Sequence, residues 1–106
     1  MVVKQFESGL KTYRLEFHVL ALKEWEKLDG PIREQFKKAL EKRLISPHVV
    51  SAKLHHDLAG FYKIKLRTSG FRLVYEVIDG RLVIFVIAVG KRDKEITYQK
   101  ALQRKN

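Results

Sequence analysis

Tyr62-Lys63-Ile64-Lys65-Leu66-Arg67 alternates apolar and cationic residues without a break. A period of two belongs to a strand, so Tyr62, Ile64 and Leu66 are expected on a buried face and Lys63, Lys65 and Arg67 on the other. Thr68-Ser69-Gly70 then turns the chain into a second strand, Phe71 to Ile78, which carries Arg72. A two-residue loop at Ser69-Gly70 predicts Arg67 opposite Arg72, Lys65 opposite Val74 and Lys63 opposite Glu76. Like charges facing each other across a sheet are destabilising. A chain that keeps such a row is expected to use its field, and the fitting ligand is a phosphodiester backbone.

Outward from this hairpin, residues 1 to 11 show no clear periodicity and read as a flexible N-terminal arm to a single domain spanning 12 to 106. Thr12 to Phe17 alternates as a strand, and Ala21, Trp25 and Leu28 then fall on one face of a short helix. Asp29-Gly30-Pro31 punctuates the chain, and Pro suits the first turn of the next helix. There Ile32, Phe36, Ala39, Leu40 and Leu44 form an apolar stripe opposite Arg33, Lys37, Lys38 and Arg43. Ser46-Pro47 ends it, and Val49 to Gly60 reads as a loop. Beyond Ile78, Asp79-Gly80 signals a tight type I′ turn. Leu82 to Val89 is apolar on both faces, as in a strand that is central or covered on both sides. Asp93 to about Arg104 reads as a short helix packing through Ile96, Ala101 and Leu102. The sum is an α+β domain with a mainly antiparallel sheet, an N-terminal helical hairpin and a short C-terminal helix.

The 106 residues carry 22 Lys plus Arg against 12 Asp plus Glu, a net charge of +10, which favours polyanionic partners. Residues 1 to 60 hold eleven basic and eight acidic side chains (+3), and residues 61 to 106 eleven and four (+7). The excess therefore travels with the strands. Cysteine is absent, which excludes disulfides, thiol nucleophiles and thiolate metal sites and is compatible with a reducing cytoplasm. Leu82 to Val89 is far too short to span a bilayer, and the N-terminus lacks the apolar segment of a secretory signal, so a cytoplasmic protein is expected.

Lys63, Lys65, Arg67, Arg72, Lys91 and Arg92, followed by Tyr98, form the set to explain. Cleavage of RNA by its own 2′-hydroxyl needs a base, charge stabilisation at the pentacoordinate phosphorus and an acid for the departing 5′-oxygen. Lys, Arg and Tyr cover these roles, since neighbouring cations disfavour a lysine's charged form. The plain competing reading is a solvated charged face, or phosphate binding without cleavage. His55-His56-Asp57 suggests a metal only superficially, because adjacent loop side chains seldom converge. No metal or other cofactor is expected. His18 and His48 stand alone, Trp25 reads as core, and Tyr75, Phe71 and Phe85 read as strand packing. Gly90-Lys91 is not a phosphate-binding P-loop, because Phe85 stands where the first glycine belongs and Arg92 follows the lysine.

Ala21-Leu22-Lys23-Glu24-Trp25, Arg33-Glu34-Gln35, Ser46-Pro47, Tyr62 to Arg67, Ser69 to Tyr75 and Val89-Gly90-Lys91-Arg92 together resemble the RelE toxins of toxin-antitoxin modules, over about Tyr13 to Leu102. The resemblance implies a compact microbial-ribonuclease-like fold and a metal-independent, ribosome-dependent endoribonuclease. It would cut mRNA in the ribosomal A site, leaving a 2′,3′-cyclic phosphate and a 5′-hydroxyl. The family's catalytic residues fall on Lys63, Lys65, Arg72, Arg92 and Tyr98. The roles assigned are Lys65 as base, Lys63 and Arg72 on the phosphorane, Arg92 as acid or leaving-group stabiliser, and Tyr98 stacking on the nucleotide. Contacts to RNA and the ribosome, including 16S rRNA, are expected at Arg67, Lys91, Lys53, Lys37 and Lys38. The implied partner is an acidic RelB-like antitoxin that covers or displaces the C-terminal helix, with a heterotetramer among the implied assemblies. Met1 to Lys11 extends beyond the family's usual start, and His55-His56 stands where relatives often carry a basic residue. A ParE-like gyrase inhibitor and a non-catalytic RNA-binding module are the alternative readings.

Overall fold

Leu82 to Val89, apolar on both faces, becomes β5 (Val83–Gly90), the central strand of a five-stranded sheet. The structure, a computed structural model, describes residues 2–4, 12–91 and 96–105. In chain order the elements are β1 (Val2–Lys4), β2 (Arg14–Phe17), α1 (Val19–Glu26), α2 (Gly30–Ile45), β3 (Phe61–Lys65), β4 (Arg72–Ile78), β5 and α3 (Ile96–Arg104). The sheet order is β1-β2-β5-β4-β3, antiparallel except for the β2·β5 pair. Val2–Lys4, read from sequence as part of an arm, is thus an edge strand on β2. The rest of that arm lies outside the described residues.

The apolar stripes predicted for the helical hairpin pack on one face of the sheet. Ala21, Trp25, Leu28, Phe36, Leu40 and Leu44 join Leu15, Phe17, Tyr62, Ile64, Tyr75, Ile84 and Val86 in one buried cluster. Arg33 of α2 donates to the carbonyls of Trp25, Glu26 and Leu28, adding side-chain donors to the acceptors at the end of α1. Arg43 reaches from α2 to the Tyr75 hydroxyl (2.7 Å) and the Lys63 carbonyl (3.3 Å), tying α2 to the edge strand β3.

On the opposite face, Leu58, Phe61, Val74, Ile87, Ala88 and Ala101 form a smaller cluster under α3. A β-bulge builds its seat. Val74 pairs with Ala88 but Tyr75 with Val86, so Ile87 is the extra residue. Ile87 and Ala88 consequently both face α3, while Val86 and Val89 both face the helical hairpin. Of the residues expected to pack α3, only Ala101 is buried. Ile96 and Leu102 are exposed, and Thr97 takes the buried place instead.

Both hairpin loops are wider than the sequence suggests. Lys65 pairs with Arg72, Ile64 with Leu73 and Lys63 with Val74, two residues away from the expected register. The loop between Leu66 and Phe71 holds four residues, with the Gly70 amide donating to Leu66 and Gly70 at φ +79°. Likewise Asp79–Arg81 forms a 3-10 turn and Leu82, not Gly80, takes the left-handed conformation at φ +53°. A type I′ turn needs positive φ at both central residues, which Asp79 and Gly80 do not supply. Asp79 is held by the Tyr13 hydroxyl (2.8 Å) and by His48 (3.1 Å). Those bonds keep its carboxyl below the usual range.

Candidate active site

A slip of two residues leaves every side chain on its own face, so the wider loop moves the cations along β3 without turning them over. Lys63, Lys65 and Arg72 therefore share the face covered by α3, and the like charges that face each other are Lys65 and Arg72. Arg67 is not opposite Arg72 but sits in the exposed loop. α3 brings Tyr98 to the cluster: the Arg72 guanidinium carbon lies 5.5 Å from the centroid of its ring, in cation–π range. Arg72 Nε is buried and has no hydrogen-bond partner among the described residues. Among those residues neither Lys63 nor Lys65 forms an ion pair. Lys63 and Tyr98 also line a cleft of about 330 Å³ with His55, His56, Asp57 and Leu102. The loop histidines are exposed and border the cluster. His56 adopts a left-handed backbone, φ +55°, which is uncommon for a residue with a side chain.

The other expected residues that are described are dispersed. Arg92 lies outside the described residues. Lys91 is exposed beside a second groove, lined by Glu24, Lys27, Asp29, Val89, Gly90 and Lys100 among others. Lys53 bridges to Tyr62 along the β3 edge, on the helical-hairpin side. Lys37 and Lys38 belong to α2, on the face away from Lys63, and Lys37 lies 3.9 Å from Glu34. These three are not gathered with the cluster.

Sequence reasoning missed the side chains that fix α3. Glu24 of α1 accepts from Arg104 Nη1 (2.9 Å) and Nη2 (2.8 Å), from Lys100 (3.0 Å) and from the Val89 amide (3.1 Å). Burial pushes the Glu24 carboxyl up, but the hydrogen bonds from Arg104, Val89 and Lys100 outweigh it and hold the group below the usual carboxylate range. The signal was present in the sequence, because Glu24 follows Ala21 by three on the side of α1 that carries Ala21, Trp25 and Leu28.

What the arrangement offers is a cationic strand pair with an aromatic ring over one guanidinium, suited to holding and polarising a phosphodiester. Residues 15–96 match the family described as the ParE toxin of type II toxin-antitoxin systems, parDE. The chain belongs to this ParE/RelE family of type II toxins. Within it the likeness is to RelE. The mRNA interferase toxin RelE of Escherichia coli (strain K12) is 51% identical over 92 residues, 87% of this chain and 96% of the relative. The free-state structure of an arginine double mutant of E. coli RelE matches with a TM-score of 0.80 and 48% identity, covering 89% of this chain and 97% of that one. The toxin in the intact E. coli RelBE toxin-antitoxin complex matches at 0.74 and 52%, covering 77% and 99%.

Proposed function

We propose that this toxin is a ribosome-dependent mRNA interferase that cleaves mRNA in the A site by attack of the RNA's own 2′-hydroxyl. The observation that carries the reading is the pairing of Lys65 with Arg72, with Lys63 on the same face and Tyr98 over the Arg72 guanidinium. Lys65 takes the 2′-hydroxyl proton, Lys63 and Arg72 stabilise charge at phosphorus, and Arg92 supports the departing 5′-oxygen. Tyr98, with the Arg72 guanidinium against one face of its ring, orients the nucleotide by stacking. The products are a 2′,3′-cyclic phosphate and a 5′-hydroxyl, so no water is consumed in the bond change. Arg67 and Lys91, and on the helical-hairpin side Lys53, Lys37 and Lys38, then serve as outlying contacts to ribosomal RNA. The net charge of +10 fits an acidic, RelB-like antitoxin as the neutralising partner, and a ribosomal target places the action in the cytoplasm. Among the described residues no helix is long and apolar enough to cross a membrane.

The matching family's name favours a second reading, gyrase inhibition. One experiment separates the two: a programmed mRNA is incubated with the protein on purified ribosomes with an empty A site and, in parallel, free in solution. Cleavage only on ribosomes, abolished by Arg92→Ala and leaving a cyclic phosphate end, is expected. No cleavage, with inhibition of DNA supercoiling by gyrase, would move the function to the ParE type.

A further inference from the structure

α3 has nine residues, too few to be stable alone, so its position over the cluster depends on what it docks against. Two adjacent stripes divide its surface. Thr97, Ala101 and Arg104 face the sheet, and Tyr98 and Leu102 line the cleft beside Lys63. A small rotation of α3 would therefore carry Tyr98 off Arg72.

The sheet-facing stripe is anchored at a defect in the strand. β2 ends at Phe17, so beyond Val86 the outer edge of β5 has no strand partner among the described residues. The bulge at Ile87 falls there. Arg104 donates to the Ile87 carbonyl (2.9 Å) and doubly to Glu24, while Glu24 accepts from the Val89 amide. One carboxylate and one guanidinium thus satisfy the backbone groups that the missing strand leaves open, and in doing so join α1, β5 and α3. Packing at the other end of α3 is as tight: a Cβ on Gly90 would meet Thr97 Oγ1 at 2.8 Å. Gly90 is itself the ladder partner of Arg72.

We propose that Glu24 and Arg104 are positioning residues for RNA cleavage, a latch that holds α3 on the β5 bulge so that Tyr98 stays over Arg72 and beside Lys63. The inference rests on the reading of that cluster as the cleavage site. Neither latch residue touches RNA; each acts through Tyr98.

The test has two arms. Hydrogen exchange, which needs no substrate, should show Arg104→Ala accelerating exchange of amides 97–104 by about tenfold or more while β4 and β5 stay protected. In single-turnover cleavage on programmed ribosomes, Arg104→Ala should slow the rate about tenfold or more at unchanged half-saturating ribosome concentration. Combined with Tyr98→Ala it should add nothing to the loss from Tyr98→Ala alone, because both act through one ring. Gly90→Ala leaves every ion pair in place and should slow cleavage similarly, with Thr97→Ala in the same chain restoring it. Multiplying losses in the Tyr98 double variant, equal loss of protection in β4 and β5, or no rescue by Thr97→Ala would overturn the proposal. A wild-type protein that never cleaves, with the α3 exchange result intact, would refute the ribonuclease reading and leave the latch standing.

Discussion

The face of the sheet beneath α1 and α2 and the face beneath α3 are built to different ends. Under the helical hairpin, Phe17, Phe36, Leu40, Tyr75 and Ile84 are completely buried, and the cluster draws on six elements or more. Under α3 the buried set is small, and it gives way at the β3 edge to Lys63, Lys65 and Arg72. The two buried side-chain atoms without hydrogen-bond partners among the described residues, Arg72 Nε and Thr97 Oγ1, both belong to this second face. Like charges across a ladder and an unpartnered buried donor each cost stability. A 106-residue chain can bear those costs on one face because the other is sealed.

The strongest way to break this comparison is to open the sealed face. Phe36→Ala should lower unfolding free energy by about 3–5 kcal/mol in urea titrations, whereas Lys63→Ala should stay within about 0.5 kcal/mol of wild type or gain stability. Equal losses would mean that both faces share the work of folding. Arg43 sharpens the comparison, since it spans from α2 to the backbone of Lys63. Arg43→Ala leaves the Lys63 carbonyl without this donor and should cost about 1–3 kcal/mol by the same titration.

The smallest effect concerns pH. Glu24 titrates below its ordinary value in the folded chain, so its contribution is complete above the unfolded value and fades as pH falls through the folded one. The groups around it are mostly cationic or basic: His18 and Lys27 capping α1, Lys91 beyond β5, Lys100 and Arg104 on α3, with Asp29 as a second acid lining the same groove. Glu76 works the other way, because burial raises its carboxyl and acidification relieves the cost. Between pH 6 and pH 3 the urea midpoint of wild type should therefore fall further than that of Glu24→Gln. Parallel curves would remove Glu24 from the account.

The sequence carried the face assignments and missed the register, for the same physical reason. Alternation along Tyr62 to Arg67 states which side chains share a face, and a slip of two residues leaves that unchanged. Loop width depends on φ values that Ser69-Gly70 and Asp79-Gly80 did not dictate, since Leu66 accepts the Gly70 amide and Tyr13 and His48 engage Asp79. The double-sided apolar run of Leu82 to Val89 foretold a strand covered on both faces. Its bulge was invisible, because Ile87 and Ala88 look like any other pair in an apolar run. Glu24 and Arg104 are 80 residues apart, and no local pattern could join them. Lys63, Lys65 and Arg72 share one face with Tyr98 beside them, whereas Lys37 and Lys38 lie across the sheet, where a charged helix face gives no hint of which side it will cover.

The Lys65–Arg72 pairing can be a cleavage site or only a charged surface. Single-turnover cleavage of a programmed mRNA on ribosomes with an empty A site, comparing wild type with Lys65→Ala, separates the two most directly. A loss of about a hundred- to ten-thousand-fold is expected, with ribosome binding unchanged and the unfolding midpoint at or above that of wild type. Cleavage by Lys65→Ala at the wild-type rate would contradict the cleavage site.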